Sequence, residues 1–276
     1  MALLNFTNTK TDLIFPTPPE MMYFNQFMRR TTHLGIGAHP DDNEIMAYHG
    51  IGVCYDNKEK WFTGVVITDG AGGTKEGPYK NFTDDELIRI RHDELLKAAK
   101  AGNFLALIHL NYTSQEIKRD RKPDVRQDLA HILDTTRPEV VYIHNLFDDH
   151  DTHVSAGIRS IEAMRDISSI FMPEKVYGCE VHGSLDWSPE RIRLDVTMHP
   201  EVARQILSIF ESQSENRRSY PRATLSRWES QAIFDRSNKY GPKAISYAMD
   251  LSALIKDHGI DLGEFIQEKA QSFAAE

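Results

Sequence analysis

The feature that most constrains this chain is an alternation of two kinds of segment. Short runs rich in apolar and β-branched residues take turns with longer stretches of helical character. Residues 33–38 (HLGIGA), 61–68 (WFTGVVIT), 104–110 (FLALIHL) and 139–145 (EVVYIHN) read as buried strands. Residues 42–55, 84–101, 123–136 and 153–166 read as the helices between and after them. Thr83 with Glu86 three positions on is a capping box that opens the second of these helices. Later strands are expected at 175–181 and 191–196, and later helices at 199–215 and 221–236. Repeated β-then-α with buried strands implies an α/β fold: a doubly wound, mainly parallel sheet with flanking helices. Residues 1–30, with Pro16, Pro18 and Pro19, read as a leader packed on the body. Residues 31–276 read as one domain ending in a helical segment, and no internal repeat interrupts it.

Composition narrows the function classes. Thirty-two Lys and Arg against 41 Asp and Glu give a formal charge of −9. That balance argues against a general nucleic-acid binder or a binder of anionic membranes. No apolar run approaches the roughly 20 residues of a membrane helix. The N-terminal 20 residues lack the basic and apolar regions of a secretory signal, so a cytoplasmic protein is expected. Cys54 and Cys179 are the only cysteines and read as reduced, packed thiols.

In a parallel doubly wound sheet, ligands bind beyond the carboxyl ends of the strands. The polar motifs of this chain fall there. Ala38-His39-Pro40-Asp41-Asp42 follows the first strand, Thr68-Asp69-Gly70-Ala71-Gly72-Gly73 the second, and His144 through His153 the fourth. His39 and Asp42 are three residues apart across a turn stiffened by Pro40. An imidazole nitrogen and a carboxylate oxygen suit a borderline divalent metal. Asp41, between them, must point elsewhere and is placed as a general base would be. His150 and His153 repeat the spacing of three; one could complete a metal set while the other faces substrate. Asp41 and Asp42 could instead cap the following helix. His33, His109 and His144 lie within strands and read as core or supporting residues.

Other motifs are excluded. Gly35-x-Gly37 lacks the third glycine and the later acidic residue of a dinucleotide fingerprint. Gly70-Ala71-Gly72-Gly73 lacks the Lys-Ser/Thr end of a phosphate loop and reads as a loop lining the site. There is no Gly-x-Ser-x-Gly elbow.

The motif Ala38-His39-Pro40-Asp41-Asp42-x-Glu44-Ile45, then Thr68-Asp69-Gly70, Arg91-x-x-Glu94, Arg137-Pro138-Glu139 and His150-x-x-His153, resembles the LmbE-like, or PIG-L-like, N-acetylglucosaminyl deacetylases. The likeness is strong over 33–161 and weaker to about 232, where Ser212-Gln213 and Arg227 look like the family's late segment. The resemblance implies a Rossmann-like fold and a divalent metal, usually zinc with Fe2+ as the alternative, on His39, Asp42 and His153. It implies Asp41 as general base and His150 as the group that stabilises the oxyanion or protonates the leaving amine. Arg91, Asp69 and His182, the last within Glu180 to Trp187, are candidate substrate contacts. Thr152 stands where the family often has Asp, so the orienting carboxylate is expected at Asp151 or Asp149. The implied reaction removes acetyl from an N-acetylglucosamine-like small molecule or glycoconjugate. Rival readings are a metal amidase acting on another amide, a non-haem iron oxygenase and a non-catalytic sugar binder. The alternating pattern disfavours the oxygenase, and Asp41 disfavours the pure binder. C-terminal helices leave a homo-oligomer open.

Overall fold

A computed structural model describes residues 6–17, 23–73, 75, 77–119, 124–213, 219–235 and 241–274. Among them one sheet has eight strands: β1 (Asp12–Ile14), β2 (His33–Gly37), β3 (Phe62–Thr68), β4 (Ala106–Tyr112), β5 (Val140–His144), β6 (Lys175–Cys179), β7 (Ile192–Asp195) and β8 (Ile245–Asp250). Their order is β1-β4-β3-β2-β5-β6-β8-β7. The central five, β4-β3-β2-β5-β6, are parallel. β1, β8 and β7 add antiparallel edges. From β2 the chain winds outward through β3 and β4, then returns to the other side of β2 for β5 and β6. The switch point therefore lies between β2 and β5, where a crevice opens at the strands' carboxyl ends.

Helices flank both faces. Those that bear on the site are α1 (Phe24–Met28), α2 (Asp42–Met46), α3 (Tyr48–Cys54), α4 (Asp84–Ala101), α5 (Ser114–Lys118), α6 (Asp124–Thr136), α7 (Asp151–Asp166), α8 (Pro200–Leu207) and α9 (Tyr220–Phe234). The capping box at Thr83 and Glu86 is formed in both directions. Strand alternation sends Val65 and Ile67 of β3 into one apolar layer and Phe62 and Val66 into the other.

Several elements differ from expectation. The helix expected at 42–55 is two helices that break at Ala47 (φ −107°, ψ 15°). The helix expected at 199–215 ends at Leu207 and resumes as a 3-10 turn, Glu211–Gln213. The leader contributes β1, paired with β4. The C-terminal stretch holds β8 as well as two helices, α10 (Ser252–Lys256) and α11 (Leu262–Ala274). β7 runs antiparallel to β8, its only strand neighbour among the described residues.

Gly35 and Gly37 have a packing role. A Cβ at Gly35 would overlap Asn43 Oδ1 and come within 2.8 Å of Phe62 Cζ. Without it, α2 settles on β2, and Asn43 Nδ2 donates to the Val65 carbonyl at 2.9 Å. Gly35→Ala is expected to destabilise the protein by about 1–3 kcal/mol, the usual cost of overpacking. Urea unfolding would show it as a lower midpoint at unchanged m; an unchanged midpoint would mean that Asn43 yields freely.

Candidate active site and metal centre

The turn after β2 brings His39, Asp41 and Asp42 to the switch point, and the turn after β5 brings His150 and His153. Asp42 is nearly inaccessible. Its Oδ2 accepts from the His39 backbone N–H at 2.6 Å and lies 3.1 Å from His144 Nε2. Burial works to raise this carboxyl, but His153 and His144 outweigh it and hold it well below the usual carboxylate range. His144, expected as a core or supporting residue, lies on β5 with its ring stacked on His153 at 4.1 Å.

Donor atoms of three residues converge here, with Asp42 turning a different oxygen to each histidine. His39 Nδ1 is 3.0 Å from His153 Nε2 and 3.4 Å from Asp42 Oδ2, and His153 Nε2 is 3.5 Å from Asp42 Oδ1. Tetrahedral zinc with bonds of 2.0–2.1 Å has ligand-to-ligand edges of about 3.3–3.4 Å. The triangle of residues, two imidazole nitrogens and a carboxylate at nearly these spacings, offers the donor set of a divalent cation. A single proton can bridge only one pair of these atoms, whereas a cation can take a lone pair from each. Burial, the largest influence, pushes the His153 ring down to about 4 and keeps it a neutral donor of its lone pair.

The carboxylate behind His153 is Asp148. Its Oδ1 lies 3.2 Å from His153 Nδ1 and accepts from the His150 N–H at 3.0 Å. Its Oδ2 accepts from the N–H groups of His182 and Gly183 at 3.1 and 3.3 Å. Burial opposes ionisation here too, but the adjacent His153 ring outweighs it and holds the group low. Asp149 and Asp151, expected in this role, are exposed. The reason is the turn: Asp148 is its inward-facing residue, and α7 begins at Asp151 with His150 as its cap.

His150 caps α7 with its ring. Nδ1 accepts from the Thr152 N–H at 3.2 Å, so the neutral ring carries its proton on Nε2. Burial, His39 and His182 all lower its pKa. Asp41 holds a left-handed backbone (φ 111°, ψ −21°) and makes no side-chain cap bond. Such strain in a non-glycine residue costs on the order of 1–3 kcal/mol and clusters at functional sites. Burial, then the charges of Asp42 and Glu44, push the Asp41 carboxyl well above its ordinary range, against the pull of Arg91.

His39, Asp41, Asp42, Arg91, His150, His153 and His182 all line one cleft of about 360 Å³, within the size range of small-molecule sites. Arg91 lies on the buried face of α4 with Glu94. Its guanidinium donates to the Gly70 carbonyl, and its Nε to Ser212 Oγ at 3.4 Å. Ser212 in turn donates to Glu94 through N–H (2.8 Å) and Oγ (2.6 Å). The His182 ring stacks on Tyr220 at 5.8 Å. Asp69 is not among the residues lining this cleft. Its carboxylate accepts from the Ala71 N–H at 3.0 Å, and it lines a separate hollow beside β1. Sequence reasoning missed Ser114, Lys118 and Tyr220, which rim the cleft. No motif marks them, because α5 and α9 reach the site only through the tertiary fold.

Asp148→Asn keeps the shape of the side chain and removes its charge. Zinc affinity is expected to fall about 10- to 100-fold, as for other outer partners of a ligating histidine. Competition with a chromophoric chelator measures this; unchanged affinity would show that Asp148 does not orient His153.

The sequence profile of the PIG-L family, described as GlcNAc-PI de-N-acetylase, matches residues 34–164. Among solved structures, the fold is similar to GalB, the 4-carboxy-2-hydroxymuconate hydratase of Pseudomonas putida KT2440 (TM-score 0.65, 19% identity, 80% of this chain and 96% of that one). It is similar to N,N'-diacetylchitobiose deacetylase of Pyrococcus horikoshii (TM-score 0.62, 20% identity, 86% and 90%). It is similar also to Dbv21, a deacetylase of the A40926 pseudoaglycone (TM-score 0.58, 13% identity, 80% and 97%). At these identities the structural likeness is one of fold. No curated protein sequence matches the chain. Residues 34–164, which carry every donor atom of the triangle, are a domain of the PIG-L (LmbE-like) deacetylase family.

Proposed function

We propose that this protein is a zinc-dependent hydrolase that removes the N-acetyl group from an N-acetylglucosamine-containing small molecule or glycoconjugate. The observation that carries the reading is the His39–Asp42–His153 triangle with the uncommitted carboxylate of Asp41 beside it. The family domain and the deacetylases of like fold support an acetylated amino sugar as the substrate class. Among the described residues no helix is long and apolar enough to cross a membrane. Two buried, free cysteines suit the reducing cytoplasm in which we place the enzyme.

A zinc ion on His39, Asp42 and His153 would supply Lewis-acid polarisation of the acetamide carbonyl and a more acidic water. Asp41, whose carboxylate makes no cap bond, accepts the proton of the attacking water. His150 offers its Nε2–H to the oxygen on which negative charge develops. Protonating His150 fully would disturb its cap, because an Nδ1–H cannot accept from Thr152. The ring is therefore suited to hydrogen bonding the oxyanion, and Asp41 is suited to return the proton to the leaving amine. Arg91 holds the Gly70 loop and Ser212 at the cleft wall. The products are acetate and a free amino sugar.

Asp41→Asn is expected to retain zinc and lower kcat by about 10²–10⁴-fold. His150→Ala should retain zinc and cost about 10²–10³-fold in kcat. His153→Ala should lose both metal and turnover. Elemental analysis with free-amine release from a panel of N-acetylglucosaminides tests all three. Zinc bound without acetate released from any of them would overturn the substrate class; a protein that takes up no zinc would overturn the site.

A further inference from the structure

A second group of metal-type donors lies at the edge of the sheet, where β1 joins it. Asp12 of β1 is the cross-strand partner of His109 on β4, so their side chains share a face of the sheet. α4 lies across that face and adds His92. Within this group His92 Nδ1 is 3.4 Å from His109 Nδ1 and 3.9 Å from Asp12 Oδ2. The first distance is close to the edge of a tetrahedral zinc site, about 3.3–3.4 Å. The second joins a half-exposed carboxylate on a short edge strand, which has room to close.

The His109 ring is wholly buried. Its Nε2 lies 2.9 Å from the Thr68 carbonyl oxygen, which can only accept, so Nε2 carries the proton. The lone pair is thereby fixed on Nδ1, the atom that faces His92. Backing of one ring nitrogen by a carbonyl while the other offers its lone pair is the arrangement of a ligating histidine. Asp12 is backed in the same way: Asn111 Nδ2 donates to its Oδ2 at 3.1 Å and to the Lys10 carbonyl at 2.7 Å. Asp12 and His92 open on a hollow of about 510 Å³ whose walls include Asp69, Asp85 and Asp93 against Lys10 and Arg89. That balance favours a cation.

We propose that Asp12, His92 and His109 form a second divalent-metal site, of zinc type, that ties the leader strand to the sheet and to α4. The proposal does not rest on the function argued above, since it shares no ligand with the cleft. β1 is three residues long and only partly buried, and the metal would join it to a central strand and a covering helix at one point.

The test uses full-length, tag-free protein stripped with chelator and titrated with zinc chloride alone. Wild type is expected to take two equivalents. His92→Ala and Asp12→Asn should each lose one and keep the other, whereas His153→Ala should lose the one they keep. Both edge variants alter partly exposed side chains, so folding is preserved. Melting gives a second readout: zinc should raise the Tm of His153→Ala, and this rise should vanish when His92→Ala is added. Zinc uptake that His92→Ala retains in full, whether one equivalent or two, overturns the proposal. In that event the His92–His109 contact is an ordinary hydrogen bond.

Discussion

The buried carboxylate of Asp42 is the constraint on which the rest of the site depends. Taking an isolated carboxylate out of water costs several kcal/mol unless partners compensate. Here the His39 N–H donates to it, the His144 and His153 rings close around it, and a cation held with His39 and His153 would supply the balancing charge. The N–H belongs to the turn after β2; the rings belong to β5 and α7. Asp42 is therefore tolerable only if β2 and β5 are neighbours, which the sheet achieves by reversing its winding between them. The bare edge of Gly35 and Gly37 completes the arrangement, because it lets α2 descend until Asp42 meets those partners.

Around this carboxylate the two histidines of one helical turn are given opposite tasks by their hydrogen bonds. Asp148 beside His153 Nδ1 directs that ring's lone pair toward His39 and Asp42. The Thr152 N–H at His150 Nδ1 directs that ring's proton outward. One ring is a donor of electrons, the other a donor of hydrogen. The spacing of three puts both at the start of α7 but does not say which is which; the partner of each Nδ1 decides it.

That limit describes what the sequence could and could not disclose. The alternation of segments revealed the five parallel strands, because each is a compact apolar run buried on both faces. It also placed His39, Asp41, Asp42, His150 and His153 at strand ends, where the topology gathers them. It could not find Asp148, because three acidic residues surround His150 and only the path of the turn selects one. It did not find β8, where Ser246 and Ala248 dilute the apolar pattern of a short run. β1 is three residues whose pairing depends on β4, about 100 positions away. Arg91 and Glu94 are legible from helical spacing as well: they fall on the same face of α4 as Leu87, Leu95 and Ala98. A charge on an apolar stripe needs a partner, and Gly70 and Ser212 supply it.

α4 shows how one helix can serve two places. Arg91 and His92 are consecutive, so their side chains leave the axis about 100° apart. Arg91 turns to the cleft, where its charge opposes the rise in the Asp41 pKa that burial, Asp42 and Glu44 produce. His92 turns to the sheet edge and meets His109 and Asp12. His109 in turn holds the Thr68 carbonyl, one residue before Asp69 and two before Gly70, whose own carbonyl Arg91 holds. The end of β3 and the loop after it are thus held by His109 of β4, which meets His92, and by Arg91 one residue earlier on α4. Its position over the cleft depends on contacts at the sheet edge as well as on those beside Asp41.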